Sequence, residues 1–129
     1  MSEQQILEDF KNHLISFLDE LIDEFPKEAD LIISRIYISD QVETKEIMEE
    51  FILLLQKNDQ MIKKYIKERK ETFFIDGNFF EQYVDKNKLN HYKKIWRSFD
   101  DENKEVVWKW IDSFVYFSNQ YSNNKLKQV

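Results

Sequence analysis

The fold class is decided by residues 2–25, SEQQILEDFKNHLISFLDELIDEF. Apolar side chains recur in this stretch at spacings of three and four residues: Ile6, Leu7, Phe10, Leu14, Phe17, Leu18, Leu21 and Phe25. That period places them on one side of an α-helix, and acidic side chains occupy the other side. Ser2, followed three residues later by Gln5, is a capping-box pattern that predicts the helix start. Pro26 predicts its end, because proline cannot continue a helix interior.

A second helix is predicted over residues 27–38, with an apolar stripe of Ala29, Ile32, Ile33 and Ile36. The alternative is a strand over residues 31–38, which are rich in β-branched side chains. We favour the helix because the chain offers no second convincing strand to pair with it.

Helical periodicity continues through the rest of the chain. Residues 44–71 form either one long kinked helix or two collinear helices, because Asn58-Asp59 interrupts the pattern. A turn at Asp76-Gly77-Asn78 leads to a short aromatic segment at residues 79–84. Further helices are predicted near 88–98 and at about 101–121, the second capped by Asp100 or Asp101, and a polar, frayed tail at 122–129. We therefore predict one compact all-α domain over 1–121, a bundle of five or six helices with no substantial sheet.

Composition excludes several classes of function. The 129 residues include one Gly, one Pro and no Cys. A single glycine rules out the P-loop, the dinucleotide-binding turn and the hydrolase nucleophile elbow, since each requires several glycines close together. The absence of cysteine rules out disulfides, thiolate zinc sites and thiol nucleophiles.

The amino-terminal residues lack the basic and apolar regions of a secretory signal. The longest run of apolar side chains, residues 51–55, is far shorter than the ~20 residues of a membrane-spanning helix. We therefore expect a soluble, intracellular protein with no membrane partner.

Catalytic groups do not form a recognisable set in this sequence. His13 and His91 are the only histidines, and neither lies in a Glu-x-x-His metal motif. Asp9 precedes His13 by one helical turn, a spacing that could orient the imidazole, but we favour a helix-edge histidine, because no nucleophile or metal ligand accompanies the pair. The many carboxylates lie on polar helix faces, where they are solvated. We expect no catalytic site, no metal, no cofactor and no enzymatic activity.

Charge is distributed unevenly along the chain, whose formal net charge is −6. Residues 1–56 carry −10, residues 57–99 carry +5 and residues 100–129 carry −1. This split favours attraction between opposite parts of the chain, or between copies. The basic part also supports an alternative, nucleic-acid binding through side chains that lie among aromatic residues: Lys63, Lys64, Lys67, Arg69, Lys70, Lys93, Lys94 and Arg97.

Three aromatic side chains lie off the main apolar stripes: Tyr37, Trp108 and Tyr116. Exposed aromatics are frequent anchors of protein–protein contacts. We therefore predict a partner-binding role for these three residues, the alternative being a core larger than the stripes indicate.

Several segments resemble small helical proteins of the large nucleocytoplasmic DNA viruses that infect algae and protists. The likeness is carried by Phe25-Pro26, Tyr65-Ile66, Thr72-Phe73-Phe74-Ile75, Ile95-Trp96 and DENKEVVW at 101–108, and extends over most of residues 6–121. It implies a virus-encoded protein of the infected cell or the virion, and it brings no catalytic residues. The leading hypothesis is thus a non-enzymatic helical interaction protein that binds a protein partner or itself.

Overall fold

The structure, a computed structural model, describes residues 2–71 and 86–127. Its elements are α1 (Glu3–Glu24), α2 (Ala29–Ile36), a π-helical turn (Tyr37–Gln41), α3 (Thr44–Lys67), α4 (Lys86–Ser98) and α5 (Asp101–Lys127). No strand occurs in these two described ranges, so the predicted all-α class is confirmed. The predicted turn at 76–78 and the aromatic segment at 79–84 lie outside the described residues.

Two predicted helix caps are present. The Gln5 backbone N–H donates to Ser2 Oγ at 3.1 Å and starts α1. The Asn103 backbone N–H donates to Asp100 Oδ1 at 2.8 Å and starts α5. Each oxygen satisfies one of the N–H groups that a first helical turn leaves without a partner, so the local sequence sets both helix starts.

The interruption predicted in the third helical segment lies inside α3. Asp59 and Gln60 have φ angles of 56° and 65°, in the left-handed region. α3 is therefore one helical element, Thr44–Lys67, whose right-handed path is broken at Asp59 and Gln60. Aspartate tolerates this backbone conformation better than most residues, which fits the position of the break.

The last helix is longer than predicted. The sequence predicted a helix end near Tyr121 and a polar tail from Ser122, but α5 continues to Lys127. Lys125 Nζ lies 3.3 Å from Glu49 Oε1 and 5.0 Å from the centre of the Tyr121 ring. The contact with Glu49, 76 positions away in the chain, holds turns that local sequence alone leaves weak.

The chain divides into two compact units, Met1–Ile52 with Asp112–Val129, and Leu53–Ile111. In the first unit Phe10 is buried, and its ring centre lies 6.0 Å from that of Phe114 in an edge-to-face pair. In the second unit the Trp96 and Trp108 rings are nearly perpendicular, with centres 5.8 Å apart. Each unit thus has its own aromatic core, as the high aromatic content requires.

Candidate protein-docking face

Four of the nine large hydrophobic side chains that are exposed in the described ranges lie on α2 and the first residue of the π turn. The residues of this apolar surface share one side of the helix, because at about 100° per residue they fall within an arc of about 140°. They are Ala29, Ile32, Ile33, Ile36 and Tyr37, here called the α2 face. Ile33 is 62% exposed and Tyr37 is 50% exposed, and α2 contains no buried residue at all.

The α2 face points outward because α2 packs on α1 through its other side. Leu31 and Arg35 lie on that side and are half-buried. Arg35 Nε donates to Asp19 Oδ1 of α1, and this bond crosses between the two helices. The stripe predicted from sequence therefore exists, but it faces solvent instead of the core.

A π-helical turn extends the α2 face at its carboxyl end. The Val42 backbone N–H donates to the Tyr37 carbonyl at 3.1 Å, the five-residue closure of a π turn. Lys11 Nζ of α1 donates to the Ser39 carbonyl at 3.0 Å and fixes this turn to α1. Single π turns are rare and often lie at functional sites. Here the turn continues the exposed stripe with the Tyr37 ring.

Carboxylates border the α2 face. Glu28 and Asp30 lie at its two long edges, and Asp40 follows in the π turn. The one cation on α2, Arg35, is bound to Asp19, and this hydrogen bond raises the pKa of the Arg35 guanidinium above its ordinary value. Residues 19–50 as a whole contain 11 acidic and three basic side chains, a net charge of −8. The surface is thus apolar in the middle and acidic around it.

The three aromatic residues predicted to bind a partner have different environments. Tyr37 and Tyr116 are exposed, the latter at 51%, as predicted. The prediction that Trp108 is exposed is wrong, because it is only 3% exposed. Its ring lies against Trp96, and the Arg69 guanidinium carbon lies 5.6 Å from the ring centre. Trp108 is therefore a core residue of the second unit.

Arg69, a member of the predicted basic cluster, is part of a helix terminus. The Arg69 and Lys70 backbone N–H groups donate to the Ile66 and Tyr65 carbonyls, the hydrogen-bond pair of a Schellman motif. The left-handed residue of that motif is usually glycine, but here it is Arg69, with φ 56°. Arg69 Nη1 also donates to the Ile66 carbonyl at 3.1 Å, and Nη2 lies 3.4 Å from Glu105 Oε1. The guanidinium is thus engaged inside the second unit.

The other predicted basic residues are more accessible than Arg69, although Lys70 also forms an ion pair. Lys70 Nζ lies 3.3 Å from Glu68 Oε2. Lys63 and Lys93 are half-buried, and Lys64, Lys67, Lys94 and Arg97 are exposed. Trp96, which sequence spacing placed among these cations, is buried and offers no free face for base stacking. The exposed cations on α3 and α4 are therefore what remains of the predicted nucleic-acid surface.

The contacts of His13 are those of a residue that stabilises the fold. Its Nδ1 donates to the Asp9 backbone carbonyl at 3.0 Å, while the Asp9 carboxylate accepts from Gln5 Nε2. Its ring packs edge-to-face on Phe117, with centres 4.8 Å apart. The imidazole is thus oriented by the backbone carbonyl of Asp9 and by the Phe117 ring. His91 is exposed, and among residues 2–71 and 86–127 no three His, Asp or Glu side chains converge as a metal site would require.

A charged cluster joins α3 and α5 in the first unit. Glu49 Oε1 accepts from Tyr121 Oη at 3.2 Å and from Lys125 Nζ at 3.3 Å. The bond from Lys125 lowers the pKa of Glu49, and burial raises the pKa of the Tyr121 phenol. The hydrogen bonds to Tyr121 and Glu49 raise the pKa of Lys125. These contacts hold the end of α5 against α3, while the Lys125 and Glu49 side chains stay partly exposed to solvent.

Sequence reasoning missed Ile32, Ile33 and Ile36 as functional candidates, since an apolar stripe at helical spacing normally faces a core. One sequence signal could have found them. α2 is only eight residues long, and half of these residues are isoleucine or leucine, so its apolar side chains extend beyond one narrow stripe.

The chain matches no protein-family model, no curated protein and no solved structure. In the described part of the chain, none of the helices is both long enough and apolar enough to cross a membrane.

Proposed function

We propose that this protein is a non-enzymatic interaction protein that binds a protein partner against the α2 face. The observation that carries the proposal is the exposure of three isoleucines of α2 and of Tyr37 in the π turn on one side of this short helical segment. Contiguous apolar surface of this kind, bordered by polar groups, is typical of protein–protein contact sites.

The free energy that a partner would gain by burying these side chains supports a binding role. Complete burial of an isoleucine side chain is worth about 1.5–3 kcal/mol, so each partly exposed isoleucine retains on the order of 1 kcal/mol for a partner to recover. Tyr37 adds a large ring with few rotatable bonds, a common anchor at interfaces. The π turn and the Lys11 bond fix the backbone that carries Tyr37 before binding, which reduces the backbone entropy lost on association.

Site-specific photo-crosslinking in the cells that make the protein tests this proposal. A photoreactive phenylalanine replaces Ile33 in one variant and Leu126, which is 73% exposed on α5, in the control. We expect a discrete protein adduct from position 33 and none from position 126. Adding Ile36→Asn to the position-33 variant should reduce the adduct about tenfold. Equal adducts from both positions, or none from position 33, would contradict the proposal.

The origin of the protein is part of the proposal. Support comes from the resemblance of residues 6–121 to helical proteins of large DNA viruses of algae and protists, which implies a virion or infected-cell component. Mass spectrometry of purified virus particles and of infected cells tests it. Detection of the chain in an uninfected host, from a host gene, would contradict it.

Nucleic-acid association is the second proposal, supported by the exposed cations Lys64, Lys67, Lys94 and Arg97 on α3 and α4. Binding through these groups should weaken steeply with salt, because each phosphate contact releases counterions. Fluorescence anisotropy with single- and double-stranded oligonucleotides measures it, with Lys64→Glu/Lys67→Glu as the test variant. Lys27→Glu/Lys45→Glu, the same charge change at exposed lysines of the first unit, is the control. No binding at about 50 mM salt, or equal loss in both variants, would remove this proposal.

A further inference from the structure

We infer that the α2 face binds an amphipathic helix whose polar side is rich in lysine and arginine. This inference rests on the proposed function and identifies the chemical class of its partner.

The shape of the α2 face favours a helix over an extended peptide. Ile32, Ile33, Ile36 and Tyr37 are spaced at one, three and four residues along about two helical turns, so they form a ridge that fits between the side-chain rows of another helix. An extended peptide usually binds by pairing with a sheet edge, and residues 2–71 and 86–127 contain no strand to offer one. A partner helix with apolar residues at the same spacings would cover this ridge.

The surrounding charge selects a basic partner. Glu28, Asp30 and Asp40 border the α2 face, and the exposed carboxylates of Asp23 and Glu24 lie on the end of α1 nearest to α2 in the chain. Arg35 does not offset them fully, because its guanidinium is bound to Asp19. A helix that carries lysine and arginine beside its apolar stripe would place opposite charges next to these carboxylates.

The same charges disfavour a symmetric dimer through this face. A two-fold interface brings identical surfaces together, so the acidic border of one copy would meet the acidic border of the other. Like charges opposed across an interface are destabilising. The α2 face therefore fits a different, basic surface better than it fits itself.

Binding of two designed peptides of about 18 residues, labelled with fluorescein, tests the inference by anisotropy with the full-length protein. Both place leucine on one helical face. The first has lysine and the second has glutamate at the polar positions. We expect the leucine–lysine peptide to bind at least about tenfold more tightly than the leucine–glutamate peptide, a difference that shrinks between about 50 and about 500 mM NaCl.

Matched variants separate this inference from the proposed function. Ile33→Asn/Ile36→Asn should lower the affinity for the leucine–lysine peptide about tenfold. Asp30→Asn/Asp40→Asn should lower it a few-fold, and Leu126→Asn should leave it unchanged. Circular dichroism establishes that each variant is folded. If both peptides bind equally and both lose affinity in Ile33→Asn/Ile36→Asn, the docking face stands and the basic partner is wrong.

Three other outcomes overturn the inference. If the leucine–lysine peptide binds Ile33→Asn/Ile36→Asn as tightly as the unchanged protein, it binds elsewhere. If neither peptide binds, the basic partner is wrong, and crosslinking at position 33 decides the proposed function by itself. If sedimentation equilibrium shows a dimer that Ile33→Asn abolishes, a second copy is the occupant.

Discussion

At the scale of single residues, Glu49 connects α3 to the end of α5. Its carboxylate accepts hydrogen bonds from Tyr121 and Lys125, which lie one turn apart on α5. Tyr121 is buried, so its hydroxyl needs a partner inside the protein. The hydrogen bond from Lys125, and to a lesser extent that from Tyr121, favours the ionised carboxylate and lowers the pKa of Glu49 in the folded state.

We expect this carboxylate to make stability dependent on acid pH. Because the pKa of Glu49 is lower in the folded state, the unfolded state binds the proton first as pH falls. The stabilisation is present above the ordinary glutamate pKa of about 4.3 and is lost as pH falls through the lower folded value. Glu49→Gln should be less stable than the unchanged protein at neutral pH, and the difference should disappear in acid.

Urea unfolding at several pH values measures this effect, with hydrogen exchange reporting on residues 122–127. Glu50→Gln removes an exposed neighbouring carboxylate and is the control. A pH profile shared by Glu49→Gln and Glu50→Gln would show that the contacts of Glu49 contribute nothing.

Trp108 and Tyr116 provide a second test at this scale. The sequence predicted that both are exposed, but Trp108 is buried and Tyr116 is exposed. Trp108→Ala removes a buried ring that packs on Trp96, so we expect a loss of about 3–5 kcal/mol in the free energy of unfolding. Tyr116→Ala removes an exposed ring, and we expect a loss of about 1 kcal/mol or less. Denaturant unfolding compares the two variants, and equal losses would contradict the different burial of the two rings.

At the scale of elements, α3 is not a regular helix along its whole length, because its backbone is left-handed at Asp59 and Gln60. Gln60 has φ 65°, a conformation that costs a non-glycine residue roughly 1–2 kcal/mol. Glycine adopts this backbone without steric cost, although it loses more entropy on folding. In regular helix, by contrast, glycine is about 1 kcal/mol less favourable than alanine.

Glycine substitutions therefore test the break by the sign of their effect. We expect Gln60→Gly to leave the free energy of unfolding unchanged or to raise it by up to about 1 kcal/mol. Gln56→Gly, at an exposed position of the right-handed part of α3, should lower it by about 1 kcal/mol. Thermal unfolding followed by circular dichroism measures both, and equal destabilisation by the two substitutions would mean that α3 is regular at Gln60.

At the scale of the whole molecule, the two units carry opposite net charge. Residues 1–52 and 112–129 carry −9, and residues 53–111 carry +3. The two ion pairs described in the first unit, Arg35–Asp19 and Lys125–Glu49, are exposed, and each such pair contributes about 1 kcal/mol or less. Repulsion among its many carboxylates is therefore the larger electrostatic effect in that unit.

We expect NaCl to stabilise the first unit, because the screening length falls from about 10 Å at 0.1 M to about 3 Å at 1 M. Hydrogen exchange of the α1 amides measures the opening free energy, which should rise with salt. Asp23→Lys, which removes one of the exposed acidic charges, should reduce this salt dependence. If α1 exchanged faster in high salt, attraction between ion pairs would be the dominant effect.

The sequence by itself determined the class of fold and most helix bounds. Helix formation depends on neighbours three and four residues apart and on caps such as Ser2 and Asp100, so this information is local. The break at Asp59 was also visible in the sequence, because polar residues interrupt an apolar stripe there. What the sequence could not determine was the environment of residues whose neighbours are distant in the chain.

Only the tertiary structure decided which apolar residues are covered. Trp108 is buried because Trp96 and Arg69, from other elements, lie against its ring. The α2 face is exposed because α1 contacts the opposite side of α2, where Arg35 reaches Asp19 across 16 positions of sequence. Periodicity reveals that a helix has an apolar face, but what lies against that face depends on contacts between segments that are far apart in the chain.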